Sequence, residues 1–297
     1  MAQPHDNEGT GVVDATTAET LVRPRRPHDD FSFDELSRRY NFRLTSDHRV
    51  VITRLILKEC RTRPSPVRVL DVGCGRGISR YPEYQAAIRD VADEYWGLDP
   101  DEGVDPPEGL FDHHQVALME SAELPEDYFD LAYSNMVMEH VAEPDRFMAA
   151  VMRCLKPGGV YLMVTPNKRH YFTRTASTLH KLRLDELVLR LIQGRKVEEY
   201  HYPVQYLFND EPTIAACAKR LGFLPPEFAY IEAEGPRAYF PILFRPIYHV
   251  LAFKRTIIKQ PRSLISLLCR ITKPDETVGG QVATAAAGSW PTDSTQE

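Results

Sequence analysis

Three glycines stand at G-x-G-x-G spacing in "VLDVGCGRG", which runs from Val69 to Gly77. Glycine has no Cβ, so such a loop permits a tight turn and close approach to its backbone. A helix after the loop would offer a positive N-terminus to an anion. A nicotinamide site favours G-x-G-x-x-G, but here Ile78 occupies the place of the last glycine. A P-loop needs G-x-x-x-x-G-K-[ST], which is absent. Asp99 follows Gly77 by 22 residues and ends a second apolar run. A carboxylate there suits the two hydroxyls of an adenosine ribose, although Asp99-Pro100 also reads as an ordinary turn. A glycine loop one sheet position away favours the ligand.

These residues meet only if several strands end side by side. Residues 46–60 read as a helix with a broad apolar face. Residues 67–72, with Asp71 near the end, fit a buried strand. Tyr84, Ile88, Val91 and Tyr95 then recur at helical spacing. Residues 95–98, 115–119 and 129–133 read as strands two to four. Pro144 opens a helix that "KPGG" (Lys156 to Gly159) closes, and residues 160–164 form a fifth strand. Residues 210–221 read as a helix stopped by Gly222. Residues 228–231 and 263–272 are the sixth and seventh strands. Such alternation implies right-handed crossovers and a parallel sheet in an α/β protein. Ligands of such sheets lie at the carboxyl ends of the strands. The glycines, Asp99 and the segment after Tyr133 share that edge.

Four stretches occur in order over residues 67–167: "VLDVGCGRG", "YWGLDPDE", "ESAELPEDYFDLAYSNMVMEHV" and "AVMRCLKPGGVYLMVTPN". On these motifs the chain resembles class I S-adenosylmethionine-dependent methyltransferases, of the broad subfamily acting on small molecules, sugars and lipids. The resemblance implies a Rossmann-like, doubly wound sheet in three αβα layers, mostly parallel with an antiparallel seventh strand. It implies S-adenosyl-L-methionine as cofactor, held by Asp71, Gly73, Cys74, Gly75, Asp99, Pro100, Ser121, Ala122, Asn135 and Met136. Within that set Gly73, Cys74 and Gly75 lie along the methionine part. Asp99 takes the ribose and Pro100 borders the adenine, while Asn135 and Met136 flank the methionine side. Ser121 stands where the family often has an acidic residue, and its hydroxyl accepts a weaker bond than a carboxylate. Glu123 is nearby. Cys74 fits the turn as a small residue, and no basic group adjoins it to make a nucleophile.

The resemblance also implies an in-line displacement, in which orientation supplies roughly 7–11 kcal/mol. A general base would add about 10²–10⁴-fold. His140, in "MEHV", is the candidate base; otherwise it caps or packs under the loop to Pro144. His113 and His114 precede the third strand and read as surface residues. "SNMV" at Ser134 to Val137 departs from the N-P-P-Y of nucleic-acid amino-methylating enzymes, which argues against nucleic acid.

Composition bounds the rest. A net charge of -6 over 297 residues gives no basic field for nucleic acid. Five scattered cysteines show neither zinc nor redox spacing, so free thiols, a reducing compartment and no metal are expected. The start of the chain lacks a signal peptide's apolar core and no apolar run reaches membrane-span length, so a cytoplasmic location is expected. Residues 1–30 and 275–297 are expected to be disordered tails. Residues 31–274 form the methyltransferase domain, with a substrate-covering insertion at 168–208 and a basic apolar insertion at 235–262. Tyr40, Tyr202 and Tyr206 are candidate walls of the acceptor pocket, with core packing the equal alternative. From Pro236 to Pro274 there are eight Lys or Arg and no acid, among dense apolar residues. That segment (236–262 above all) reads either as peripheral contact with an anionic membrane or as a solvated face packed on the sheet. The expected function is methyl transfer to oxygen on a small-molecule, sugar or lipid acceptor. The alternative is a non-catalytic, cofactor-binding module.

Overall fold

The structure is a computed structural model that describes residues 47–170, 204–232 and 264–275, with Leu36, Pro246, His249, Val250, Phe253 and Ile257. Both expected tails, apart from Asp275, lie outside the described residues, as do Tyr40, Tyr202 and most of the two expected insertions. Eleven elements follow in order: α1 (His48–Thr62), β1 (Arg68–Val72), α2 (Pro82–Arg89), β2 (Glu94–Asp99), β3 (His113–Val116), β4 (Phe129–Asn135), α3 (Pro144–Cys154), β5 (Leu155–Pro166), α4 (Glu211–Leu221), β6 (Glu227–Ile231) and β7 (Ser266–Thr272). The seven strands form one sheet in the order β3-β2-β1-β4-β5-β7-β6. β7 is antiparallel to both of its neighbours, and the other pairs are parallel. The strand order reverses between β1 and β4, which makes their carboxyl ends the switch point where such sheets hold ligands.

Strand side chains alternate between the two faces, and each face meets its own helices. Val69, Tyr95, Leu131 and Tyr133 pack with Val51, Leu55 and Ile56 of α1 and Ile88 of α2. Leu70, Leu98, Ala132 and Met163 pack instead with Phe147 and Val151 of α3 and Ile214 of α4. The helix ends follow local chemistry. Asp47 caps α1 by accepting from Arg49 N, and Asp210 caps α4 by accepting from Thr213 N. Such caps contribute about 0.5–2 kcal/mol each. Gly222, at φ 83°, ends α4.

Several boundaries differ from the sequence expectation. The helix after the glycines ends at Arg89, short of Val91, while Tyr95 lies in β2 as expected for the second strand. There the backbone of Asp93 and Glu94 donates to Val67 O and starts the strand beside β1. The third strand is His113–Val116 and not 115–119. It pairs with β2 only as far as Asp99↔Val116. Beyond that, Leu118 O accepts from Ser121 N and Ala122 N, closing a turn. His113 and His114 therefore lie within the strand, at its amino end, opposite the switch point. "KPGG" belongs to β5 and does not close the preceding helix, which ends at Cys154. A Cβ on Gly159 would stand 2.7 Å from Lys156 O and 3.1 Å from Phe129 O. The glycine permits the register shift between Phe129 and Leu131 where β5 meets β4.

Candidate active site

The turn after β1 is folded back on β2. Gly73 N and Cys74 N both donate to Leu98 O, at 2.7 and 3.1 Å. All three glycines have positive φ: 72° at Gly73, 47° at Gly75 and 114° at Gly77. Their surroundings differ. A Cβ on Gly73 would lie 2.3 Å from Val137 Cγ2, in the turn after β4. A Cβ on Gly77 would lie 2.4 Å from Tyr81 C and 2.5 Å from Pro82 N, at the start of α2. The chain's own packing therefore crowds both glycines, Gly77 against backbone and Gly73 against a side chain. Among the described residues, Gly75 has only Asp99 Oδ2 at 3.9 Å and Gly73 O at 4.0 Å near its absent Cβ. It is the glycine with room for a ligand.

Asp99 stands beside it, 8 % exposed. Its Oδ2 accepts from Gly75 N and its Oδ1 from Asp101 N, both at 2.9 Å. Each oxygen keeps a second lone pair, so the carboxylate can also accept two ligand hydroxyls. Asp71, two residues before Gly73, is turned the other way, into the α1–α2 face. Register places it between Gly97 and Tyr133. It accepts from Tyr133 Oη (2.5 Å), Gln85 Nε2 (2.7 Å) and Tyr95 Oη (3.2 Å). Gln85 Nε2 also donates to Cys74 O at 2.8 Å. Asp71 thus braces the loop through Gln85. Burial pushes its carboxyl up to about 7, against the three hydrogen bonds. Burial, with the charges of Asp71 and Asp99, pushes the Cys74 thiol far up, so it stays protonated and unreactive.

The remaining cofactor candidates lie along the same edge. Pro100 is half-buried directly after Asp99. Ser121 is exposed, and its hydroxyl donates back to Leu118 O at 3.2 Å; Ala122 beside it is buried. Glu123 is tied by its backbone to the Gln115 amide. Asn135 ends β4, and Met136 follows at φ 56° with its N–H donating to Val164 O. His140 is half-buried in the next turn, its N–H bonded to Val137 O at 2.9 Å.

Sequence reasoning passed over three residues here. Glu139 is buried and accepts from Thr165 Oγ1 at 3.1 Å. Burial pushes its carboxyl up to about 7. Its carbonyl accepts from Gln205 N (2.6 Å) and Tyr206 N (3.1 Å), which brings Tyr206 to the His140 turn from far along the chain. His48 and Ser79 are the other two: His48 Nε2 lies 3.1 Å from Ser79 Oγ, which accepts from Asn135 Nδ2 at 3.2 Å. Glu139 was open to notice beside His140, whereas no motif marks His48 or Ser79. Among the described residues, five non-glycine residues have positive φ. Four of them (Ser79, Arg80, Met136 and Tyr206) lie in the loops at this edge, where backbone strain of about 1–3 kcal/mol each tends to accompany function.

A glycine loop after β1, a carboxylate closing β2 and a switch point beside β4 give an α/β protein whose carboxyl edge offers acceptors suited to a ribose-bearing ligand. Residues 34–223 match the methyltransferase-domain family, and the chain belongs to that family. Its class is that of the S-adenosylmethionine-dependent methyltransferases, whose cofactor is S-adenosyl-L-methionine. The chain is similar to a probable S-adenosylmethionine-dependent methyltransferase of Mycolicibacterium smegmatis, 35 % identical over 124 residues, covering 41 % of this chain and 44 % of that protein. It is similar to a ubiquinone biosynthesis O-methyltransferase of Rhizobium etli, 32 % identical over 110 residues, covering 34 % and 42 %. The chain thus spans under half the length of these curated relatives. Among solved structures, a SAM-dependent methyltransferase from Archaeoglobus fulgidus is similar with a TM-score of 0.46 at 16 % identity, over 76 % of this chain and 94 % of that one.

The residues present fit this cofactor. Asp99 offers acceptors for a ribose diol, and Gly75 leaves the loop open beside it. At the end of β4, Asn135 Oδ1 is buried and meets no donor among the described residues, an acceptor that a ligand N–H would satisfy.

Proposed function

We propose that this chain transfers the methyl group of S-adenosylmethionine to a hydroxyl oxygen of a small-molecule, sugar or lipid acceptor. The observation that carries the reading is the meeting, at one sheet edge, of open Gly75, the Asp99 carboxylate and the Glu139–His140 turn with Tyr206 bonded to it. The cofactor supplies a methyl group already activated by its sulfonium. Asp99 accepts the ribose hydroxyls. Gly73, Cys74 and Gly75 line the loop, with Asp71 and Gln85 bracing it from below. Pro100, Ser121 and Ala122 border the adenine. His140 accepts the proton from the acceptor hydroxyl, and Tyr206 walls the acceptor beside it. The O-methyltransferase names among the relatives support oxygen as the methylated atom.

The acceptor's class is drawn toward lipids by one further feature. Val250, Phe253 and Ile257 are helical, 66, 67 and 64 % exposed, and spaced by three and four residues. They lie in the basic stretch that holds no acid. A basic helix with an apolar stripe suits an anionic membrane surface. No helix among the described residues is long and apolar enough to cross a membrane.

The test is incubation of cell extract with methyl-labelled cofactor, read by mass spectrometry. A labelled product formed by the natural chain and lost in Asp99→Ala is expected. Cofactor binding without any labelled product would instead make the chain a non-catalytic, cofactor-binding module.

A further inference from the structure

Asn135 closes β4 on the face that α1 covers, in alternation with Leu131 and Tyr133. Its amide nitrogen donates to Ser79 Oγ. A hydroxyl carries one hydrogen and can accept as well. With Asn135 donating to the oxygen, the Ser79 hydrogen is free to go to His48 Nε2 at 3.1 Å in the tautomer that carries the imidazole hydrogen on Nδ1. His48 is a ready acceptor, because desolvation and the neighbouring Arg49 charge hold its imidazole down near 4, against the pull of Asp47, and keep it neutral. With the imidazole hydrogen on Nδ1, the contacts run from the Asn135 amide through the Ser79 hydroxyl to the imidazole. The amide stands with NH₂ toward Ser79 and Oδ1 on the opposite side.

The rest of the surroundings keep this alignment in place. His48 opens α1, whose Asp47 cap and Arg49 are joined at 2.7 Å, and Arg49 lies 4.3 Å over the Tyr81 ring. The start of α1 therefore clamps both ends of the 79–81 segment. Ser79 (φ 53°) and Met136 (φ 56°) hold strained backbone on either side of the contact. The result leaves Asn135 Oδ1 buried with no donor among the described residues, a costly arrangement unless a ligand supplies one.

Register says which part of a ligand arrives there. Ser134 is paired with Val72, so Asn135 sits level with Gly73, where the glycine loop begins. It is two strand spacings, about 10 Å, from the β2 end where Asp99 stands. A nucleoside whose ribose is held by Asp99 and which crosses the loop presents its far end at Asn135. For the cofactor of this family, that end carries an ammonium.

We infer that His48 and Ser79 are positioning residues, which hold Asn135 so that its Oδ1 accepts a hydrogen bond from the ammonium of the cofactor's amino-acid tail. The inference rests on the methyltransferase reading above. It is tested by calorimetry on the full chain with two probes: S-adenosylhomocysteine, which has the tail, and 5′-methylthioadenosine, which lacks it. Ser79→Ala and His48→Leu each lower affinity for the first about tenfold and leave the second within about twofold. His48→Gln, whose amide oxygen can still accept from Ser79, recovers most of the loss. Equal weakening of both probes would show a merely structural role and overturn the inference, as would unchanged affinity for both. If the natural chain binds neither probe, the methyltransferase reading itself fails and takes the inference with it.

Discussion

Replacing Gly73, Gly75 and Gly77 by alanine, one at a time, separates two reasons for a glycine. At Gly77 the φ of 114° lies outside the left-handed well that an L residue can occupy. The new Cβ would also meet backbone atoms of Tyr81 and Pro82 at 2.4 to 2.8 Å, which cannot rotate away. Backbone strain and overpacking cost about 1–3 kcal/mol each, so the sum is about 2–6 kcal/mol. For a domain of this size the middle of that range lowers the melting temperature by about 10 °C. At Gly75 the φ of 47° is close to the left-handed well and the nearest atom is 3.9 Å away. The cost is only about 1–2 kcal/mol, or a few degrees. Gly73→Ala falls between them, because its clash is with the Val137 side chain, which can shift. Affinity for S-adenosylhomocysteine follows a different order. Gly75→Ala places a methyl group on the open side of the loop beside Asp99 and weakens binding about tenfold or more while the fold persists. Thermal melts and calorimetry on the same three samples decide the matter. If Gly75→Ala melts as early as Gly77→Ala, or binds as tightly as the natural chain, the division of roles is wrong.

Further outcomes follow from the same edge. Glu139, with its carboxyl raised to about 7, retains a proton in the folded chain that the unfolded chain releases near 4.5. Stability therefore falls as pH rises through that window, by up to about 3 kcal/mol. Glu139→Gln removes this part of the slope, read as a smaller difference between melting temperatures at pH 5 and pH 8; Asp71 contributes a slope of the same sign that remains. His140→Gln lowers the methyl-transfer rate about 100-fold with affinity for S-adenosylhomocysteine kept within about twofold, and an unchanged rate would remove His140 as the base. In liposome flotation the chain rises with anionic vesicles and not with neutral ones, and Phe253→Asp abolishes the effect. Equal recovery with both vesicle types, or none with either, would sink the membrane contact.

Much of the fold was open to reading because its signals are local. Apolar runs ending in Asp71 and Asp99, Pro144 at a helix start and Gly222 at a helix end depend on near neighbours in the chain. The boundaries that shifted were set across the sheet. β3 stops at Val116 because its pairing with β2 stops there, and "KPGG" becomes strand because β4 lies alongside.

The glycine spacing, the carboxylate after β2 and their order along the chain belong to the sequence, because backbone freedom and side-chain chemistry are properties of single residues. Packing alone decided which glycines are crowded by the fold and which one is left open, since Val137 and Tyr81 approach only after the chain has closed on itself. Packing also turned Asp71 inward toward Tyr133, 62 residues away. His48 and Ser79 lie 31 residues apart, and Ser79 and Asn135 lie 56 apart. No periodicity carries a hydrogen bond over such distances. They meet because α1 crosses the face on which β4 ends, and that crossing exists only in three dimensions.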